Sequence, residues 1–140
     1  MTTGGPRRKV NVLIAEDNPA DVEILRMALG ETDLDCEFTV IGDGAEVLAF
    51  FKREGRYSAS PVPDLAIVDL NLPKYDGIEV LEAMRASPAF ERVPVAVVSS
   101  SAWPREQCRM QALGVARYIT KPSDLEKYLS IGVVLRDLIR

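Results

Sequence analysis

Five short apolar runs, separated by stretches long enough for helices, constrain this chain more than any other feature. Val10 to Ala15 (VNVLIA), Cys36 to Ile41 (CEFTVI), Leu65 to Val68 (LAIV), Val95 to Val98 (VAVV) and Arg117 to Thr120 (RYIT) read as strands rich in Val and Ile. LAIV and VAVV are apolar without alternation, as in strands covered on both faces, and belong in the middle of a parallel sheet. Four helix-length segments lie between the strands and a fifth closes the chain. Five consecutive β/α units with right-handed crossovers give a doubly wound α/β domain. Its functional edge is the set of loops at the carboxyl ends of the strands. The 140 residues make one domain, read as a basic tail over 1–9 and a folded body over 10–140.

The helix boundaries carry their own signals. Asn18-Pro19 supplies an N-cap followed by Pro at the first helical position, and Asp43-Gly44 precedes the second helix. A third helix runs from about Ile78 to Ala86 and stops at Ser87-Pro88; a fourth runs from about Pro104 to Ala112 and stops at Gly114. Ser123 and Glu126 form a capping box for the fifth. The one long irregular stretch is Gly55 to Pro63 (GRYSASPVP).

Composition removes several classes of function. The formal charge is −4, and Arg7, Arg8 and Lys9 lie in the tail, so the folded body is more acidic still and nucleic acid is not expected as a partner. There is no histidine. Ser-His-Asp and Cys-His nucleophiles and His-bearing zinc sites are therefore excluded, and acid-base chemistry is left to carboxylates and lysine. Cys36 and Cys108 are far apart in sequence and form no CxxC, so buried, reduced thiols are expected. Without a signal peptide or a long apolar run, the chain is expected in the cytoplasm and not in a membrane.

The strand ends bring Glu16-Asp17, Asp69, Ser99-Ser100 and Lys121-Pro122 to one edge. Two like charges about 4 Å apart repel by roughly 4 kcal/mol at an effective dielectric near 20, so clustered acids call for a cation or raised pKa values. Oxygen ligands without His or Cys suit Mg²⁺. Singly, each residue has an ordinary explanation: acids at a helix start, an Asp capping a strand end, Asn71 and Asp76-Gly77 in turns, a satisfied Ser99 hydroxyl. All four clusters at the proper strand ends are much harder to produce by turn chemistry.

EDN at 16–18, DLNLPKYDG at 69–77, VVSSSA at 97–102 and YITKP at 118–122 resemble the receiver domain of two-component response regulators. The intervals from Asp69 to Ser99 and to Lys121 are those of chemotaxis-type receivers. The resemblance covers essentially residues 10–140 and implies a flavodoxin-like (β/α)5 fold with strand order 2-1-3-4-5. It implies that Asp69 is the phosphoacceptor for a phosphohistidine on a sensor histidine kinase, which fits a chain with no histidine of its own. Mg²⁺, with Mn²⁺ able to substitute, would be held by Asp17, Asp69 and the Asn71 carbonyl, with Glu16 acting at the metal through water. Lys121 would pair with phosphoryl oxygens, while Ser99 and the Ser100 N–H neutralise developing charge. Ser99 and Tyr118 would form the switch pair, and Pro122 is expected cis. Gly77 is assigned a structural role, and Asn71 and Ser101 tune phosphoryl lifetime.

Ser99 replaces the more frequent Thr, keeping the hydroxyl but losing the methyl that restricts its rotamer. The long Gly55–Pro63 loop, Phe51 to Tyr57, DLNLP and the YITKP ending resemble small stand-alone receivers partnered with phytochrome-like kinases. Helix five is apolar over a wider arc than one core-facing stripe, through residues including Leu125, Tyr128, Leu129, Val133, Val134 and Leu138. Helix four, strand five and helix five could pair with a second copy or an unknown downstream protein, and Trp103 is expected at that mobile edge. With no output domain after helix five, signalling is expected through protein contact rather than enzymatic turnover. The competing reading is a haloacid-dehalogenase-type aspartyl-phosphate hydrolase, weakened because Asn71 stands where its second acid is expected. A dinucleotide or flavin site would rest on Gly42-Asp43-Gly44 alone.

Overall fold

The computed structural model describes residues 9–73, 75–100 and 104–139, the side chains of 104–107 excepted. Most of the basic tail, together with Ser101 and Trp103, lies outside the described residues. Strands β1 (Val10–Ala15), β2 (Cys36–Ile41), β3 (Leu65–Val68), β4 (Val95–Ser99) and β5 (Arg117–Thr120) alternate with helices α1 (Pro19–Gly30), α2 (Gly44–Lys52), α3 (Gly77–Ala86), α4 (Pro104–Ala112) and α5 (Leu125–Ile139). All pairings are parallel, in the order β2-β1-β3-β4-β5. This is the expected flavodoxin-like arrangement.

Each sheet face has its own core. On one, Leu25 and Leu29 of α1 and Ile131 and Leu135 of α5 pack over Val12, Ile14, Leu65, Ile67 and Val98. On the other, Phe50 and Phe51 of α2, Leu81 and Met84 of α3 and Met110 of α4 cover Leu13, Val68 and Val97, with Phe90 and Tyr57 completing an aromatic cluster. Every residue of β3 and β4 is buried, as their unbroken apolar runs require. Helices α1 and α5 approach closely: a Cβ on Gly132 would lie 2.2 Å from the Ala28 carbonyl oxygen.

Local chemistry sets the helix starts. Asn18 Oδ1 accepts from the N–H groups of Ala20 and Asp21, and Asp43 Oδ1 accepts from Ala45 and Glu46. Helix five starts one residue later than its predicted capping box requires: the cap is Asp124, whose Oδ1 accepts from the Glu126 N–H, and not Ser123. Within the predicted irregular stretch, Gly55–Tyr57 forms a 3₁₀ turn, in which the Tyr57 hydroxyl donates to Glu46. The thiols are free, but Cys108 is exposed and Cys36 only half-buried, contrary to expectation: one lies on the outer face of α4 and the other on the edge strand β2. Helix five buries Tyr128, Ile131 and Leu135 and exposes Leu125 and Val133. Among the described residues, no helix is long and apolar enough to cross a membrane.

Candidate functional site

The ladder continues one residue past three strands and fixes where the polar residues begin. The Glu16 N–H donates to Ile41 O, Asp69 N–H to Ala15 O, and Lys121 N–H to Ser99 O. Glu16, Asp69 and Lys121 are thereby held level at the carboxyl edge, above the buried runs that precede them. The next turn is equally constrained. The Asn71 N–H donates to Asp69 Oδ1, Gly77 N–H donates to Leu70 O, and a Cβ on Gly77 would stand 2.5 Å from Leu70 Cα. Only glycine lets α3 start this close to the Asp69 strand end.

At the centre is the Lys121 ammonium. Its Nζ lies 2.7 Å from Glu16 Oε1, 2.8 Å from Asp69 Oδ2 and 2.9 Å from Asp21 Oδ2. Glu16, Asp69 and Ser99 are the buried polar residues of the described chain. Burial opposes the charge on Lys121, but hydrogen bonds to Asp69, Glu16 and Asp21 together outweigh it and raise the ammonium pKa. Burial pushes the Glu16 carboxyl up to about 7, against the pull of Lys121 and the Asn18 N–H, with Asp69 adding to the push. Beside them the Asn71 amide donates to Ser99 Oγ across 3.3 Å. Three carboxylates around one ammonium carry net negative charge where a cation could add to the balance.

Sequence reasoning placed Glu16, Asp69, Asn71, Ser99 and Lys121 together, and the structure brings them together. Asp17 and Ser100 are exposed at the rim, and Tyr118 is half-buried on β5 against the α3–α4 core. The Lys121–Pro122 bond is not cis: no peptide bond among the described residues is. Trans is the lower-energy form of an X-Pro bond by about 0.5–1 kcal/mol, and the ammonium reaches all three carboxylates from it. Two residues were missed. Asp21, in the first turn of α1, binds Lys121, and the Tyr128 hydroxyl of α5 donates to Asp21 Oδ1 at 3.0 Å. Burial, then the Asp21 charge, raises the Tyr128 pKa. In the sequence Asp21 reads only as an acid in the first turn of α1, which the helix dipole explains by itself, and for Tyr128 the apolar pattern masks the hydroxyl.

The donor set fits a hard divalent cation: Glu16, Asp17, Asp69 and the Asn71 carbonyl offer only oxygen. No three acidic or thiol side chains among the described residues already stand as a metal cluster, because Lys121 draws Glu16 and Asp69 to itself. Their oxygens each keep a second lone pair for a cation.

The chain is thus a five-stranded 2-1-3-4-5 α/β protein that gathers Asp69, Lys121 and Ser99 at the carboxyl edge of its sheet. The family model of the response regulator receiver domain matches residues 12–131, and the chain belongs to that family, the phosphoacceptor module of two-component signalling. The membership retires the hydrolase and cofactor-binder readings. Among its relatives, the response regulator Rcp1 of Synechocystis sp. is 36% identical over 115 residues, covering 82% of this chain and 78% of that one. The crystal structure of the phosphorylated cyanobacterial phytochrome response regulator RcpA superposes with a TM-score of 0.85 at 34% identity, covering 93% of both chains. The Mn²⁺-bound form of Rcp1 gives 0.83 at 32% identity, covering 91% of this chain and 92% of the other.

Proposed function

We propose that the chain, as a cytoplasmic protein, accepts a phosphoryl group on Asp69 from the phosphohistidine of a sensor histidine kinase of phytochrome type. The observation that carries the reading is the Lys121 ammonium 2.8 Å from Asp69 Oδ2 at the end of the central strand β3. An Asp69 carboxylate oxygen attacks phosphorus; the P–O bond forms as the P–N bond breaks, and that bond's electron pair returns to the kinase imidazole. Glu16, Asp17, Asp69 and the Asn71 carbonyl would hold Mg²⁺ or Mn²⁺, which when bound offsets charge on the phosphoryl oxygens. The Mn²⁺-bound form of Rcp1 supports the binding of a divalent cation.

Lys121 donates to a phosphoryl oxygen, the Ser99 hydroxyl and Ser100 N–H to others. Tyr118 follows the Ser99 hydroxyl as the switch aromatic, and Asn71, in contact with Ser99, tunes phosphoryl lifetime together with Ser101. Small phosphodonors can replace the kinase, and the acyl phosphate hydrolyses on its own site. The phytochrome assignment rests on RcpA, named as a phytochrome response regulator. Output passes through α4, β5 and α5 to a second copy or a downstream protein. A hollow of about 260 Å³ beside Met110, Val115 and Tyr118, with exposed Leu125 and Val133 on α5, supplies apolar area for such contacts.

Intact-protein mass after incubation with acetyl phosphate tests the reading. One phosphoryl adduct that requires Mg²⁺ and is lost in Asp69→Asn is expected; an adduct that survives the substitution removes Asp69 from the role.

A further inference from the structure

An ammonium has three N–H donors, and in Lys121 all three are taken, by Glu16, Asp21 and Asp69. A phosphoryl oxygen therefore gains Lys121 only if one carboxylate releases it. Asp69 gives up its carboxylate charge when its oxygen bonds phosphorus, so from then on the phosphoryl oxygens contend for Lys121 with Glu16 and Asp21. Glu16 is pinned, its side chain 3% exposed and its Oε2 accepting from the Asn18 N–H. Asp21 is the most exposed of the three, at 17%, stands in the first turn of α1, and keeps a second partner in the Tyr128 hydroxyl. It loses least on release, because water, the helix dipole and Tyr128 continue to satisfy its charge.

We propose that Asp21 is a positioning residue for Lys121: it holds the ammonium in the resting state and competes for it with the incoming phosphoryl group. Asp21 thereby sets how readily the site fills, and Tyr128 ties that setting to α5. Every charge Asp21 carries is also a charge beside which the phosphoryl group's negative oxygens must settle. The Tyr128 hydroxyl disperses part of it, so Tyr128 weakens the competition that Asp21 offers. This inference rests on Asp69 being the phosphoacceptor.

The test is titration with beryllofluoride in saturating Mg²⁺, followed by ¹⁹F NMR, with the ¹⁵Nζ resonance of Lys121 recorded before and after. Asp21→Asn keeps the shape and an acceptor but removes the charge, and is expected to bind beryllofluoride roughly tenfold more tightly. Its Lys121 resonance at rest should already be displaced toward the beryllofluoride-bound position of the wild type. Asp21→Glu, which restores the charge, should return the affinity toward the wild-type value. Tyr128→Phe should weaken binding severalfold in the wild type and have no effect in the Asp21→Asn background. A merely structural Asp21 would give weaker or unchanged binding in Asp21→Asn and an unmoved resonance, and either result overturns the inference while leaving the phosphoacceptor reading intact. Failure of the wild type to bind beryllofluoride overturns both.

Discussion

The two faces of the sheet grip their helices by different means. Between α1 and α5 the contact is backbone on backbone, Gly132 against Ala28, and the Tyr128–Asp21 hydrogen bond closes the pair at the site. Between α3 and α4 the contacts are made by long side chains. Arg109 pairs with Glu82, and the Arg85 guanidinium donates to the carbonyls of Phe90 and Val93 and, beyond α4, of Leu113 and Gly114. A glycine contact admits one spacing; an arginine can follow a helix that shifts by an ångström or so and keep its bonds. Lys121 is thus tied to a fixed pair, while Ser99, Asn71 and Tyr118 adjoin an adjustable one. A receiver needs both, a constant charge at the acceptor and a side that can answer its occupancy.

The contrast can be broken most severely at Gly132. Gly132→Ala would force α1 and α5 apart and is expected to cost about 3 kcal/mol, lowering the thermal midpoint by roughly 10 °C. Arg85→Met, which leaves several carbonyls without their charged donor, should cost about 2 kcal/mol in denaturant unfolding. Arg109→Gln should cost less than about 1 kcal/mol, because the Glu82 pair is solvent-exposed and screened by salt. If Arg109→Gln proved as damaging as Gly132→Ala, the α3–α4 face would not be the adjustable one. The finest effect is a pH dependence. Tyr128 holds its proton more tightly folded than unfolded, so its contribution to stability is lost as pH rises above the free tyrosine value of about 10. Wild type should lose stability there more steeply than Tyr128→Phe, as read from urea midpoints across that range.

Much of this was legible in the residue order because strand burial and site chemistry use different letters. Runs such as LAIV and VAVV can only be interior strands, and the first polar residue after each is the one the ladder lifts to the edge. Glu16, Asp69, Ser99 and Lys121 could be read for that reason. Asp21 could not, because an acid in a first helical turn has a sufficient local explanation in the dipole, and its second partner is 100 positions away. Tyr128 was read for its ring alone. The Ser123 cap failed on a smaller scale: Ser123 and Asp124 are both good N-caps, and only the backbone decides between them. The Pro122 isomer was carried over from the family and has no signature in the residues themselves.

Asn11 and Asp64 exchange two bonds, Asp64 N–H to Asn11 O at 2.7 Å and Asn11 N–H to Asp64 Oδ2 at 2.9 Å, which locks the start of β3 to β1 whatever precedes it. The exposed residues Ser58, Ala59, Pro61 and Val62 just upstream are therefore free of any duty to set strand register. The chain can be reopened there: doubling a loop's length costs only about 0.6 kcal/mol in closure entropy. New termini or an inserted reporter domain at this point would stand at the amino ends of the strands, with the whole length of the strands between the graft and the carboxylates.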